Sequence, residues 1–289
     1  MTHIENVGEL HMQNGETLFK MWHAFIEPDK RDFFHHYHSR FEIALVLSGS
    51  GIYTTPTGVF PMEPGDIFVF SQNEWHCITE IFQDGMEIIN LHFEPRYLLG
   101  NSNDSLSMKH AGFCFSHSDS FQNRIPADTA QFIAQTILNI ERELREQSEE
   151  YALCVKSHLN FLLISLIRNH NYCTNLPSHG TSKILKSLNY IDEHFTEQIN
   201  LKDIADIVGL TPTYYSMLFK KFCNVSLWHY ITAKRIEKAI HMILDDDYNG
   251  NILDIAMTCG FNNTANFNKA FKKQTGMTPS QYKKTDFMY

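Results

Sequence analysis

From Leu201 onward, apolar residues recur at the spacing of one helix face, and the pattern appears twice. Ile204, Ala205 and Val208 share a face before Gly209, and Tyr215, Leu218, Phe219 and Phe222 follow at i, i+3, i+4 and i+7. Ile252, Ile255 and Ala256 precede Gly260 in the same way, and Phe267, Ala270 and Phe271 follow it. The copies are offset by 51 residues up to the glycines and by 52 from Phe219/Phe271 through Asn224/Gly276, Ser226/Thr278 and Tyr230/Tyr282. Each copy predicts two short helices joined by a glycine turn, one supersecondary unit used twice. Glycine suits the left-handed residue that ends a helix, Thr211 and Asn262 or Asn263 suit an N-cap, and Asn224 and Gly276 close the second helices. Ser226 to about Leu244 predicts a connecting helix of roughly 30 Å, close to the ~34 Å between successive major grooves on one face of DNA.

The outward positions give these units a chemistry. A helix-turn-helix lays the N-terminal part of its second helix against base edges. That geometry selects Thr213, Ser216 and Met217 in the first unit and Ala265, Asn268 and Lys269 in the second. Asn can bond adenine and Lys guanine, while Met and Ala offer apolar contact. Thr211, Lys220, Lys221, Asn263, Lys272 and Lys273 suit phosphate contacts, which position without specifying. A helical bundle with solvated lysines would explain one unit as well; two matched units with a connector of this length favour DNA.

Upstream the period changes. Leu18 to Phe25 is a candidate strand in a mixed first stretch. Phe41–Leu47, Ile52–Thr55, Ile67–Phe70 and Glu87–Phe93 are short apolar strands, punctuated by Gly49, Gly51 and Pro64-Gly65-Asp66, which predicts a small barrel or sandwich. Pro126–Glu150 and Tyr151–His170 predict long helices; the first has Phe132, Ile133, Ile137, Ile140 and Leu144 inward. Asn171–Ser182 has linker composition, and Lys183–Phe195 predicts the first helix of the last domain. The expected domains are therefore 1–115, a helical segment 116–170, a linker 171–182, and 183–289.

The residues Leu201-Lys202-Asp203-Ile204-Ala205, Leu218-Phe219-Lys220-Lys221, Arg235-Ile236-Glu237-Lys238-Ala239, Gly260-Phe261, Ala270-Phe271-Lys272-Lys273 and Gly276–Tyr282 resemble the AraC/XylS transcription regulators. The resemblance implies an α+β multidomain chain. Its parts would be a cupin-like β-barrel that senses a small-molecule effector, commonly a sugar or related metabolite, a helical dimerisation segment, and an all-α double helix-turn-helix domain. It implies a double-stranded DNA operator, a homodimer, RNA polymerase as a partner if the protein activates, and no required cofactor. His36-x-His38, Glu42, Gly49, Gly65 and His76 also resemble the two cupin motifs; Lys30, Ser71, Asn73 and Glu80 depart from them. His36, His38, Glu42 and His76 are thus candidates for direct effector binding, for holding a divalent transition metal, or for a wet polar rim. A metal-dependent cupin enzyme fused to a DNA-binding domain is the rival reading, although no catalytic nucleophile with a base stands out.

Charge agrees with this division. Residues 181–289 carry 13 basic and 11 acidic side chains, whereas the rest of the chain carries 11 and 22, so DNA is expected at the C-terminal part only. The six cysteines show no zinc spacing, and Cys154, Cys223 and Cys259 are expected in cores. No signal peptide or membrane-length apolar run is apparent, which implies a cytoplasmic protein without a membrane partner.

Overall fold

The structure is a computed structural model. It describes residues 3–11, 17–28, 36–94, 97–98, 117–118, 120–172, 180–223, 225–245, 248 and 250–284. The chain divides into two compact units. The first holds residues 1–33, 40–71 and 76–175; the second holds 34–39, 72–75 and 176–289.

The first unit is built on one antiparallel sheet. Its strands are β1 (His3–His11), β2 (Thr17–Ile26), β3 (Phe41–Thr55), β4 (Gly58–Met62), β5 (Ile67–Phe70), β6 (Cys77–Phe93) and β7 (Arg124–Ile125). The order is β1-β2-β6-β3-β5-β7, with β4 paired to β3. Strand β1 was not expected: of its residues only Leu10 is buried, so its apolar alternation is weak. Phe41–Leu47 and Ile52–Thr55 form one strand rather than a strand, turn and return. Gly49 and Gly51 instead serve close approach to β6. A Cβ on Gly49 would lie 2.0 Å from the Gly85 carbonyl oxygen, and one on Gly51 would lie 2.4 Å from that of Glu80. The register shifts beside both glycines, as at bulges.

Strand alternation divides the buried side chains between the sheet's faces. Ala44, Val46, Phe68, Phe70 and Ile88 pack with Tyr53, Met62 and Met86 on one side. Phe41, Ile43, Leu45, Leu91 and Phe93 occupy the alternate positions and are also buried. Helix α1 (Ala127–Glu146) packs on α2 (Tyr151–Asn169) and on β1. Its buried stripe is Ala130, Ile133, Ile137, Ile140 and Leu144. Leu144 comes so near β1 that a Cβ on Gly8 would lie 3.2 Å from it. Phe132, expected inward, is 55% exposed; it is the neighbour of the stripe residue Ile133, about 100° around the helix. The helix also ends at Glu146, since Gln147 and Glu150 are left-handed. Ion pairs bind α1 to the sheet: Arg145 contacts Glu5 and Glu141, each at 2.7 Å, and His23 lies 3.1 Å from both Glu87 and Glu141. The Arg145 guanidinium holds the Glu5 carboxyl below its ordinary range.

The second unit is helical where it follows the linker. Helix α3 (Thr181–His194) precedes α4 (Leu201–Ile207) and α5 (Pro212–Cys223). Helix α6 (Leu227–Leu244) leads to α7 (Ile252–Thr258), α8 (Thr264–Thr275) and α9 (Pro279–Tyr282). Helix α6 supports both repeats. Phe219 meets Tyr230 with ring centroids 5.7 Å apart. Farther along, Ile236, Ala239 and Ile243 pack with Ile255, Ala256, Phe267, Phe271 and Tyr282. Tyr215 is fully buried, and its hydroxyl donates to Ser187 Oγ at 3.0 Å, which satisfies the polar end of an otherwise apolar stripe. The expected capping box at Thr278 and Gln281 is present. Cys223 and Cys259 are buried as expected, whereas Cys154 is only half-buried. Burial pushes the Cys259 and Cys77 thiols up to about 11, away from reactive thiolate. Among the described residues, no helix is long and apolar enough to cross a membrane.

Candidate effector site and nucleic-acid interface

In the first unit, register assembles a buried polar group. Across the sheet, Lys20 on β2 is opposite His92 on β6, His92 is opposite Glu42 on β3, and Glu42 is opposite Phe70 on β5. These four side chains therefore share one face. Glu42 Oε2 lies 2.9 Å from His92 Nε2 and 3.1 Å from His76 Nε2. Both are ion-pair distances between the carboxylate and a ring nitrogen. All three residues are buried, at 4% exposure for Glu42, 0% for His76 and 7% for His92. A buried carboxylate needs such partners, because its desolvation otherwise costs several kcal/mol. Aromatic rings fix the imidazoles. His76 stacks on Phe70 at 4.1 Å and 14°, and Trp22 meets His92 edge-on at 4.5 Å. Lys20 pairs with Glu9 at 3.1 Å and lies 5.9 Å from the Trp22 ring.

Of the four residues expected to converge, Glu42 and His76 meet in this unit. His36 and His38 fall in the 34–39 segment that groups with the second unit, with their rings 6.2 Å apart. Strand β3 starts at Phe41, so the alternation assumed for these two histidines has no strand to act through. Sequence reading missed His92. Its signal was a polar position one step before the end of an apolar strand, but only pairing places it opposite Glu42.

In the second unit, α5 and α8 are the second helices of the two repeats. Thr213, Met217, Lys220 and Lys221 on α5 are exposed and Ser216 is half-buried; Ala265, Asn268, Lys269, Lys272 and Lys273 on α8 are exposed. Met217 is 59% exposed, too high for a side chain serving the domain core. Tyr214 is also exposed on the first turn of α5, a position the sequence reading did not single out. Both helices begin on side-chain caps. Thr211 Oγ1 accepts from the Tyr214 amide at 3.4 Å, and Asn263 Oδ1 from the Asn266 amide at 2.8 Å. Asn224 lies outside the described residues. The 18 residues of α6 span about 27 Å at 1.5 Å each.

Known proteins match both units. The family model for an AraC-like ligand binding domain matches residues 24–160, and that for a helix-turn-helix domain matches residues 204–285. The chain belongs to the AraC/XylS family. The regulatory protein PocR of Salmonella typhimurium is 33% identical over 133 residues, 45% of this chain and 43% of PocR. This chain therefore covers less than half of PocR's length. The helix-turn-helix-type transcriptional activator RhaS of an Enterobacter species is 21% identical over 249 residues, 85% of this chain and 86% of RhaS. ToxT of Vibrio cholerae, solved with an unsaturated fatty acid bound, has the same fold. Its TM-score is 0.60 at 14% identity, covering 94% of this chain and 97% of ToxT.

Proposed function

We propose that the protein is a cytoplasmic, sequence-specific DNA-binding transcription regulator whose first unit senses a small-molecule effector. The repeated helix-turn-helix with two capped, exposed second helices carries this reading. Thr213, Ser216, Met217, Ala265, Asn268 and Lys269 are the base-reading set. Thr211, Lys220, Lys221, Asn263, Lys272 and Lys273 are the phosphate set. Asn268→Ala or Lys269→Ala relaxes base preference in one half of the operator, at roughly 1–3 kcal/mol for each bidentate pairing removed. Lys272→Ala weakens all sequences alike and flattens the salt dependence by about one unit of slope. Selections from randomised operators at two salt concentrations measure both. An altered base preference for Lys272→Ala, with only a changed slope for Lys269→Ala, would show the helix to be wrongly seated.

The effector site is centred on Glu42, His76 and His92. A carboxylate flanked by two imidazoles offers acceptors and donors together, so the group suits a neutral, hydroxyl-rich ligand such as a sugar better than an anion. Glu42 and His92 also belong to a group of side chains that could hold a divalent transition metal, but Glu42 Oε2 already lies 2.9 Å from His92 Nε2. Direct hydrogen bonding is therefore the favoured reading. A panel of monosaccharides is expected to raise the melting temperature of the wild type, since a ligand of the folded state adds stability; Glu42→Gln loses that rise. Elemental analysis of the same samples separates the accounts: a stoichiometric metal absent from Glu42→Gln would favour ligation, and turnover with it would favour the enzyme reading. A second copy of the chain is the partner for the helical segment, where Phe132, Leu138, Leu153 and Phe161 are exposed; sedimentation of the full chain tests it. RNA polymerase is the further partner if the protein activates.

A further inference from the structure

We propose that Tyr172 is a positioning residue that ties the start of the linker to the Glu42–His76–His92 cluster, so that occupancy of the cluster sets how tightly the linker is held. The proposal rests on that cluster being the effector site. Tyr172 is fully buried and is the last described residue of the first unit before the chain crosses at 175/176 into the second. Its hydroxyl lies 2.7 Å from Ser71 Oγ, and its backbone N–H donates to the Leu166 carbonyl at 3.1 Å. Its ring meets Phe121 edge-on at 4.6 Å and Phe41 at 6.0 Å.

Two residues that Tyr172 touches are sequence neighbours of a residue of the cluster and of the ring that supports another. Phe41 precedes Glu42 on β3, and Ser71 follows Phe70, on which His76 stacks. Successive side chains of an extended chain point to opposite sides. The cluster and the linker anchor are thus two sides of the same two backbone segments. A ligand that draws Glu42 or His76 out of their present contact rotates or shifts those segments, and Phe41 and Ser71 must move with them because packed interiors do not deform freely. Tyr172 is then unseated or seated more firmly, and the residues after it are released or held. No contact between the two units is needed, since the chain itself carries the change.

The test uses the full chain without effector. Hydrogen exchange is followed in peptides covering residues 168–185 for wild type, Tyr172→Phe, Ser71→Ala, Glu42→Gln and Glu42→Gln/Tyr172→Phe. Each single change is expected to raise exchange there about fivefold to tenfold, the scale of one buried hydrogen bond. The double variant is expected to match the larger single, because both act through one element. A merely structural tyrosine would give effects that multiply. Multiplying effects, or linker exchange unchanged in Glu42→Gln, would overturn the proposal. Tyr172→Phe keeps the ring and is expected to fold; if it does not, Ser71→Ala crossed with Glu42→Gln gives the same cycle. A failed sugar screen with non-additive exchange would count against the ligand class alone.

Discussion

Gly260→Ala unfolds the second unit far more readily than Gly209→Ala, although the two glycines hold equivalent places in the repeat. Both are left-handed, at φ +87° and +64°, and either substitution costs about 1–2 kcal/mol for placing a Cβ there. At Gly209 nothing else opposes it, for the nearest atom to a new Cβ is Lys183 Nζ at 3.8 Å. At Gly260 the Cβ would lie 2.4 Å from the Thr196 carbonyl oxygen and 2.8 Å from its carbon. That backbone cannot slide away. Arg235 donates to the Phe195 carbonyl at 2.6 Å and to the Glu197 carbonyl at 2.8 Å, holding the residues on both sides. Adding about 1–3 kcal/mol of overpacking brings Gly260→Ala to roughly 2–5 kcal/mol, a large share of the ~5–15 kcal/mol that stabilises a domain. Urea unfolding followed by helical circular dichroism measures both variants. Equal midpoints would refute the close approach at Thr196.

Lys234→Met has an effect of the same size for an electrostatic reason. Lys234 on α6 and Asp192 on α3 form an ion pair at 2.8 Å, with side chains 4% and 7% exposed. The ammonium also lies 5.7 Å from the Phe195 ring. Removing one partner leaves a charge buried without its counter-ion, at about 3–5 kcal/mol. Replacing both, as Asp192→Leu/Lys234→Met, removes the desolvation penalty with the attraction and returns stability to near the wild type or above it. The double-mutant cycle reads the coupling directly. A double variant as unstable as Lys234→Met would show that packing, and not unpaired charge, sets the loss. Operator binding follows the same order, since α6 supports both reading helices.

The sequence by itself determined the parts of this protein that local periodicity controls. The double repeat, its glycine turns, the Thr278 capping box, the exposed faces of α5 and α8 and the buried stripe of α1 apart from Phe132 all follow from the 3.6-residue period and from caps made within a few residues. Such interactions need no knowledge of what lies across the core. The AraC/XylS assignment was legible for the same reason, because its motif is a run of local signals.

The tertiary structure decided what depends on partners distant in the chain. Gly49 and Gly51 look like a turn until β6 lies beside them. His92 looks like a stray polar residue until strand register sets it against Glu42, 50 positions away. Lys234 reads as a solvated lysine among charged neighbours until α3 brings Asp192 to it. Gly209 and Gly260 are indistinguishable until Thr196 fills the space beside one of them. In each case the deciding contact joins separate elements, and a desolvated charge or a blocked Cβ has no signature in the residues immediately around it.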